Sequence, residues 1–125
     1  MKILADSHVL IWWLSDTEKL NPLVRAAIHD TDNTVFFSAA SIWEIGLKVA
    51  KGHLKVPYGL AEVLRADGFD ELPVLVAHAE RALTLPAIHG DPFDRMLIAQ
   101  ALHEGLVLAT RDHIIAQYNV PLLKA

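Results

Sequence analysis

Four carboxylates occupy positions where chemistry is possible: Asp6, Glu44, Asp94 and Asp112. Asp6 and Asp112 each follow a short apolar run. Glu44 and Asp94 fall near the starts of helical stretches. If those starts lie at one end of the molecule, four acids from distant sequence meet at one rim. Like charges crowded there repel and raise each other's pKa values. A divalent cation would relieve the repulsion, and hard oxygen donors suit Mg²⁺ or Mn²⁺. Such an ion can activate water for attack on phosphorus and offset the charge that develops. Metal-assisted phosphodiester hydrolysis is the chemistry that best fits an all-carboxylate site.

Other chemistries lack their residues. The chain has no cysteine, so thiolate nucleophiles, thiolate metal sites and disulfides are excluded. Neither GxGxxG nor GxxxxGK[ST] occurs, and the seven histidines show no HExxH spacing. A phosphatase or receiver-type site would want a second acid beside the first, but Asp6 is followed by Ser7-His8. Each acid also has a plainer reading. Asp6 can cap a helix, and Asp112 can begin a turn. Ser41-Ile42-Trp43-Glu44 has the capping-box pattern, and Glu44 with Lys48 is a favourable i, i+4 pair. Asp91 suits a helix N-cap, Pro92 the first helical position, and Asp94 the first turn.

The elements that must position these groups alternate in type. Lys2–Ala5, Thr34–Phe37 and Leu106–Ala109 read as buried strands. Leu72–Leu75 and Val120–Leu123 read as edge strands, the former because Pro73 cannot donate to a ladder. Helices are expected through Val9–Leu14, from Pro22 to about Asp30, from Ala39 to Lys51, over Leu60–Ala66 and Ala77–Leu83, and from Pro92 to near Gly105. On the Ala39–Lys51 helix, Ile42, Ile45, Gly46 and Val49 make one apolar stripe. Trp43, Leu47 and Ala50 make another, and Glu44, Lys48 and Lys51 make a polar face. The alternation predicts an α/β domain on a mostly parallel sheet, with ligands beyond the carboxyl ends of its strands.

The 125 residues suffice for one domain, 1–125, and 53% apolar with 21% charged residues argues a folded protein. No apolar run reaches the length of a membrane span, and the N-terminus lacks a basic signal-peptide region, so a cytoplasmic protein is expected. The net charge of −4 neither supports nor excludes a nucleic-acid partner. Setting the four site acids aside brings the remainder to zero, and Lys48, Lys51 and Lys55 read as a solvated face more readily than as an RNA track.

The ordered set of motifs resembles that of PIN-domain ribonucleases, in particular VapC-type toxins of bacterial toxin–antitoxin pairs. The matching segments are Leu4–Leu14, Ser38–Ile45, His89–Ala101 and Leu108–Asp112, in the family's order and without loss of an acidic position. The resemblance implies a three-layer α/β/α sandwich with Asp6, Glu44, Asp94 and Asp112 around Mg²⁺ or Mn²⁺. It implies RNA as substrate, a small antitoxin as inhibitor, and cleavage to 5′-phosphate and 3′-hydroxyl ends. Ser7 and Thr110 would hold carboxylates or metal waters, with Asp91 as cap and outer support. Arg95 would either pair with a carboxylate of the quartet or contact the scissile phosphate. Arg111 reads as a solvated turn residue, and His8, His89 and His113 as helix-start or packing residues. Trp12, Trp13, Trp43 and Leu47 exceed what one core-facing stripe needs, which points to a homodimer interface or an antitoxin groove. The alternative is a non-catalytic RNA- or protein-binding module on the same fold.

Overall fold

A computed structural model describes residues 1–125. The strands are β1 (Lys2–Ala5), β2 (Thr34–Ser38), β3 (Asp70–Leu72), β4 (Val107–Thr110) and β5 (Leu122–Lys124). The helices are α1 (Ser7–Ser15), α2 (Pro22–His29), α3 (Ala39–Ala50), α4 (Leu60–Ala66), α5 (Val76–Thr84) and α6 (Pro92–Glu104). Short 3₁₀ turns at Thr17–Lys19 and Ile115–Gln117 complete the elements. The sheet runs β3-β2-β1-β4-β5, and every neighbouring pair is parallel.

Strand periodicity explains the three layers. Ile3 and Ala5 join a core cluster with Val9 and Leu10 of α1, Val24 of α2, Ile45 of α3 and Leu64 of α4. Leu4, between them, points the other way, into a cluster with Leu97, Ile98 and Ala101 of α6. Successive side chains of a strand face opposite sides, so a central strand covered on both faces must be apolar throughout. The α/β/α sandwich follows.

β1 lies at the centre, with β2 on one side and β4 on the other. The strand order reverses there, which opens a crevice at the carboxyl end of β1. Asp6 is the next residue. Its main-chain N–H still reaches the Ala109 carbonyl at 3.0 Å, while its carboxylate accepts from Val9 N–H at 2.9 Å and caps α1.

The edges differ from the expected spans. The third strand is Asp70–Leu72 rather than Leu72–Leu75, with Phe36 opposite Asp70 and Ser38 opposite Leu72. Pro73 ends the pairing because it carries no N–H. The last strand is Leu122–Lys124 rather than Val120–Leu123. Pro121 lies just before it, and its carbonyl accepts from Leu108 N–H at 2.9 Å. At α6, Asp91 accepts from Phe93 and Asp94 N–H, and Gly105 ends the helix in the left-handed region, φ 68°.

Candidate active site

The carboxyl ends of β1 and β4 and the start of α6 enclose a cleft of about 540 Å³. Asp6, Asp94 and Asp112 line it together with His8, Trp12, Arg111, His113 and Ile114. Glu44 does not line that cleft. It sits on the first two turns of α3, only 7% exposed, and opens toward a neighbouring depression with Lys48, Lys51, His53 and Asp91. It is still close enough for its charge to raise both Asp6 and Asp94. The sequence placed Glu44 on a polar face. The structure buries it at the edge of that face nearest α1, where the Ser7 hydroxyl donates to Glu44 Oε1 at 2.6 Å. Ser7 Oγ also lies 3.0 Å from Ser41 Oγ. The other Glu44 oxygen faces Lys48 Nζ at 3.7 Å.

Burial and crowding set the electrostatics. Burial is the main cause that pushes Asp94 up to about 7, and the charges of Asp91, Glu44 and Asp6 push the same way against His89. Asp6 is raised as well, chiefly by burial, against a hydrogen bond from Thr110 and another from Val9 N–H. Burial would also raise Asp112, but hydrogen bonds from His89 and from the Ile114 and Ile115 N–H groups outweigh it and hold that carboxyl low. Thr110 serves both acids, because its hydroxyl also accepts from Asp112 N–H at 3.0 Å.

His89 is the group that sequence reasoning underrated. Its Nδ1 accepts from Asp91 N–H at 3.1 Å. A main-chain N–H can only donate, so in the neutral ring the proton sits on Nε2. That nitrogen lies 2.9 Å from Asp112 Oδ2 and 3.1 Å from Asp94 Oδ2. The imidazole thus bridges an acid from β4's end to one from α6. A packing role does not describe it. The available signal was position: a histidine two residues before the capping acid of the motif helix. Tyr118 gave no such signal. Its hydroxyl accepts from His89 N–H at 2.7 Å and donates to the Pro86 carbonyl at 2.8 Å, holding the loop that carries His89.

Arg95 pairs with no carboxylate of the quartet. Its guanidinium donates to the carbonyls of Ala82, Pro86 and Leu85 at 2.7, 2.9 and 3.1 Å. One residue along a helix turns a side chain by about 100°, so Asp94 faces the cleft while Arg95 faces the end of α5. The last carbonyls of a helix need donors, and five N–H groups in a fixed fork supply them. Arg111 is likewise no free turn residue. It donates to the Lys19 and Ala125 carbonyls, and its guanidinium carbon lies 4.2 Å from the centre of the Trp12 ring.

A divalent cation suits this set. Every acid at the rim offers hard oxygen, and two of them, the buried Asp6 and the half-buried Asp94, hold their protons more tightly than usual, the mark of a site short of positive charge. Ligand-capable atoms of His89, Asp94 and Asp112 lie within 4.8 Å of one another.

Comparison with known proteins gives this architecture its class. Residues 3–121 match the PIN domain family, and the chain belongs to that family. It is 26% identical over 122 residues to ribonuclease VapC22 of Mycobacterium tuberculosis, covering 95% of this chain and 93% of that one. Among solved structures, VapBC2 from Rickettsia felis, bound to a promoter DNA fragment, superposes with a TM-score of 0.69 at 12% identity, over 99% of this chain and 98% of the other. FitAcB from Neisseria gonorrhoeae superposes with a TM-score of 0.64 at 22% identity, over 98% and 96%.

Proposed function

We propose that this protein is a Mg²⁺- or Mn²⁺-dependent endoribonuclease, acting in the cytoplasm as the toxin of a toxin–antitoxin pair. The observation that carries the reading is the meeting of Asp6, Asp94 and Asp112 in one cleft, with Glu44 near enough to raise two of them. The likeness to a VapC ribonuclease supports it. Asp6, Glu44 and Asp94 would hold the ion, with Asp112 bound directly or through water. When bound, the ion supplies an activated water and offsets charge on the phosphate. Ser7 fixes the Glu44 carboxylate, and Thr110 fixes Asp6 and the turn to Asp112. Asp91 anchors the first turn of α6, so Asp94 enters the cleft on a rigid element. His89 keeps Asp94 and Asp112 at a set separation. Arg95 supports the site through the loop of His89 rather than by contact with phosphate.

Partner surface lies on α3. Trp43 is 65% exposed and meets Phe93 edge-on, with ring centres 5.2 Å apart. With Ala39, Ala40, Val74, Pro92 and Met96 they line an apolar pocket. A second groove on the other flank of α3 runs from Ile42 and Val49 to Tyr58 and Leu60. We assign these faces to a second copy of the chain and to the antitoxin. Trp12 and Trp13 do not belong to them. Both are half-buried against the core, and Trp13 packs on Phe69 and donates to Asp67.

The test is cleavage of single-stranded RNA by the purified protein in Mg²⁺ or Mn²⁺. Cleavage should stop in excess EDTA and in Asp94→Asn, whose fold should survive. Undiminished cleavage under either condition removes the mechanism. RNA binding with no cleavage under any metal leaves the non-catalytic module in its place.

A further inference from the structure

The cleft has a second wall that differs in chemistry from the acidic one. His8 is exposed at the start of α1. Trp12 follows one turn later on the same helix face, the two rings 5.8 Å apart and tilted by 48°. The Arg111 guanidinium lies 4.2 Å from the Trp12 ring centre. Its bonds to the carbonyls of Lys19 and Ala125 fix it there, and it makes no ion pair with the adjacent Asp112. An imidazole, an indole and a guanidinium thus form one continuous flat-sided surface. All three border the same cleft as Asp6, Asp94 and Asp112.

A packing account covers only part of this. Trp12 touches the core along one side, but the His8 ring reaches water, and its charge acts on Asp6 without a hydrogen bond between them. The Arg111 side chain spends its donors holding its plane against the indole rather than neutralising the acid beside it. Flat aromatic and guanidinium faces next to a phosphodiester site are what a nucleobase requires, since base stacking is tolerant of sequence and needs only exposed π surface. The cleft volume of about 540 Å³ lies in the range of small-molecule sites.

We propose that the His8–Trp12–Arg111 surface is a stacking subsite for one unpaired nucleobase flanking the phosphate at the acids. The proposal rests on the nuclease reading above and deepens it. A base inside a duplex has both faces covered and cannot use this wall, so the subsite selects an unpaired or extruded nucleotide. Every base has a π face, so the subsite contributes affinity without choosing among bases.

Trp13→Phe with Trp43→Phe leaves Trp12 as the only indole. In Mg²⁺, adenosine 5′-monophosphate should quench its emission, and ribose 5-phosphate should not. The mononucleotide has no diester bond, so the acids can be left intact. His8→Ala, an exposed change, should weaken mononucleotide binding by roughly five-fold or more, within the range seen for one stacked base. It should leave ribose 5-phosphate binding unchanged. Equal binding of the two probes, or an unaltered Kd in His8→Ala, overturns the subsite. Should RNA cleavage depend on metal while His8→Ala and Trp12→Leu keep the wild-type KM, the subsite falls and the nuclease reading stands. Should the mononucleotide be preferred over the sugar phosphate with no cleavage in any metal, the nuclease reading falls and the base site stands.

Discussion

Asp94→Asn should stabilise the metal-free protein, and the gain should grow with pH. Asn keeps the shape of the side chain and can accept the His89 N–H. What it removes is a charge that the fold resists. Below pH 3.8, the ordinary value, the carboxyl is protonated in folded and unfolded chains alike and contributes nothing. Between 3.8 and about 7 the folded chain binds more protons than the unfolded one, so stability falls as pH rises. Above 7 the penalty is complete. At 1.36 kcal/mol per tenfold change in proton affinity it would reach about 4 kcal/mol. The side chain keeps 20% of its surface in water, and screening reduces the figure to about 2 kcal/mol. That corresponds to roughly 6 °C in Tm for a domain of this size. Melting curves in EDTA should therefore place Asp94→Asn roughly 6 °C above wild type at pH 8.5, and within about 2 °C at pH 4.5. Added Mg²⁺ should raise the wild-type Tm more than that of the variant. Coincident melts at pH 8.5, or an advantage that shrinks as pH rises, would refute the claim that crowding and burial burden this acid.

Three further substitutions probe the supports. Ser7→Ala removes the buried donor to Glu44 and should cost about 1–3 kcal/mol in denaturant melts; it should also lower kcat, and a Tm equal to wild type would deny the bond any weight. Arg95→Met keeps the aliphatic stem but strips donors from the Ala82, Leu85 and Pro86 carbonyls. It should cost about 2–4 kcal/mol and speed amide exchange over residues 82–89, whereas unchanged protection there counts against the clamp. Tyr118→Phe should cost about 1–2 kcal/mol and slow cleavage with little change in KM, because the hydroxyl acts on the His89 loop and not on substrate.

The parts of the fold that periodicity controls were legible. β1 and β4 are buried on both faces, so their apolar runs announce them, and Asp91-Pro92 with Gly105 marks both ends of α6. The edges were not, because β3 carries only one buried residue, Leu72, and edge pairing is set by its neighbour's register rather than by its own pattern. Where the four acids fall, just beyond β1 and β4 and within the first two turns of α3 and α6, was legible. Glu44 shows the limit of such reasoning. Spacing on α3 grouped it with lysines, which stay at the surface, and only the approach of Ser7 from α1 buries Glu44 at the edge of that face. Arg95 and Arg111 failed for the same reason. A guanidinium seeks whichever carbonyls the tertiary fold leaves bare, and sequence does not say which those are. His89 and Tyr118 act together from 29 residues apart, a separation that carries no local signal.

The Arg95 fork has a mechanical consequence. Asp94 and Arg95 are consecutive on α6, so the segment that hands His89 back toward Asp94 is stapled to the very turn that bears the acid. Helix, staple and returning segment form a closed ring, and the gap between imidazole and carboxylate becomes a fixed dimension of that ring. The carboxylate is thereby held to a gauge before any ion arrives, with little ordering left to do. Lengthening the segment between Pro86 and Asp91 by a single residue would open the gauge without touching any acid.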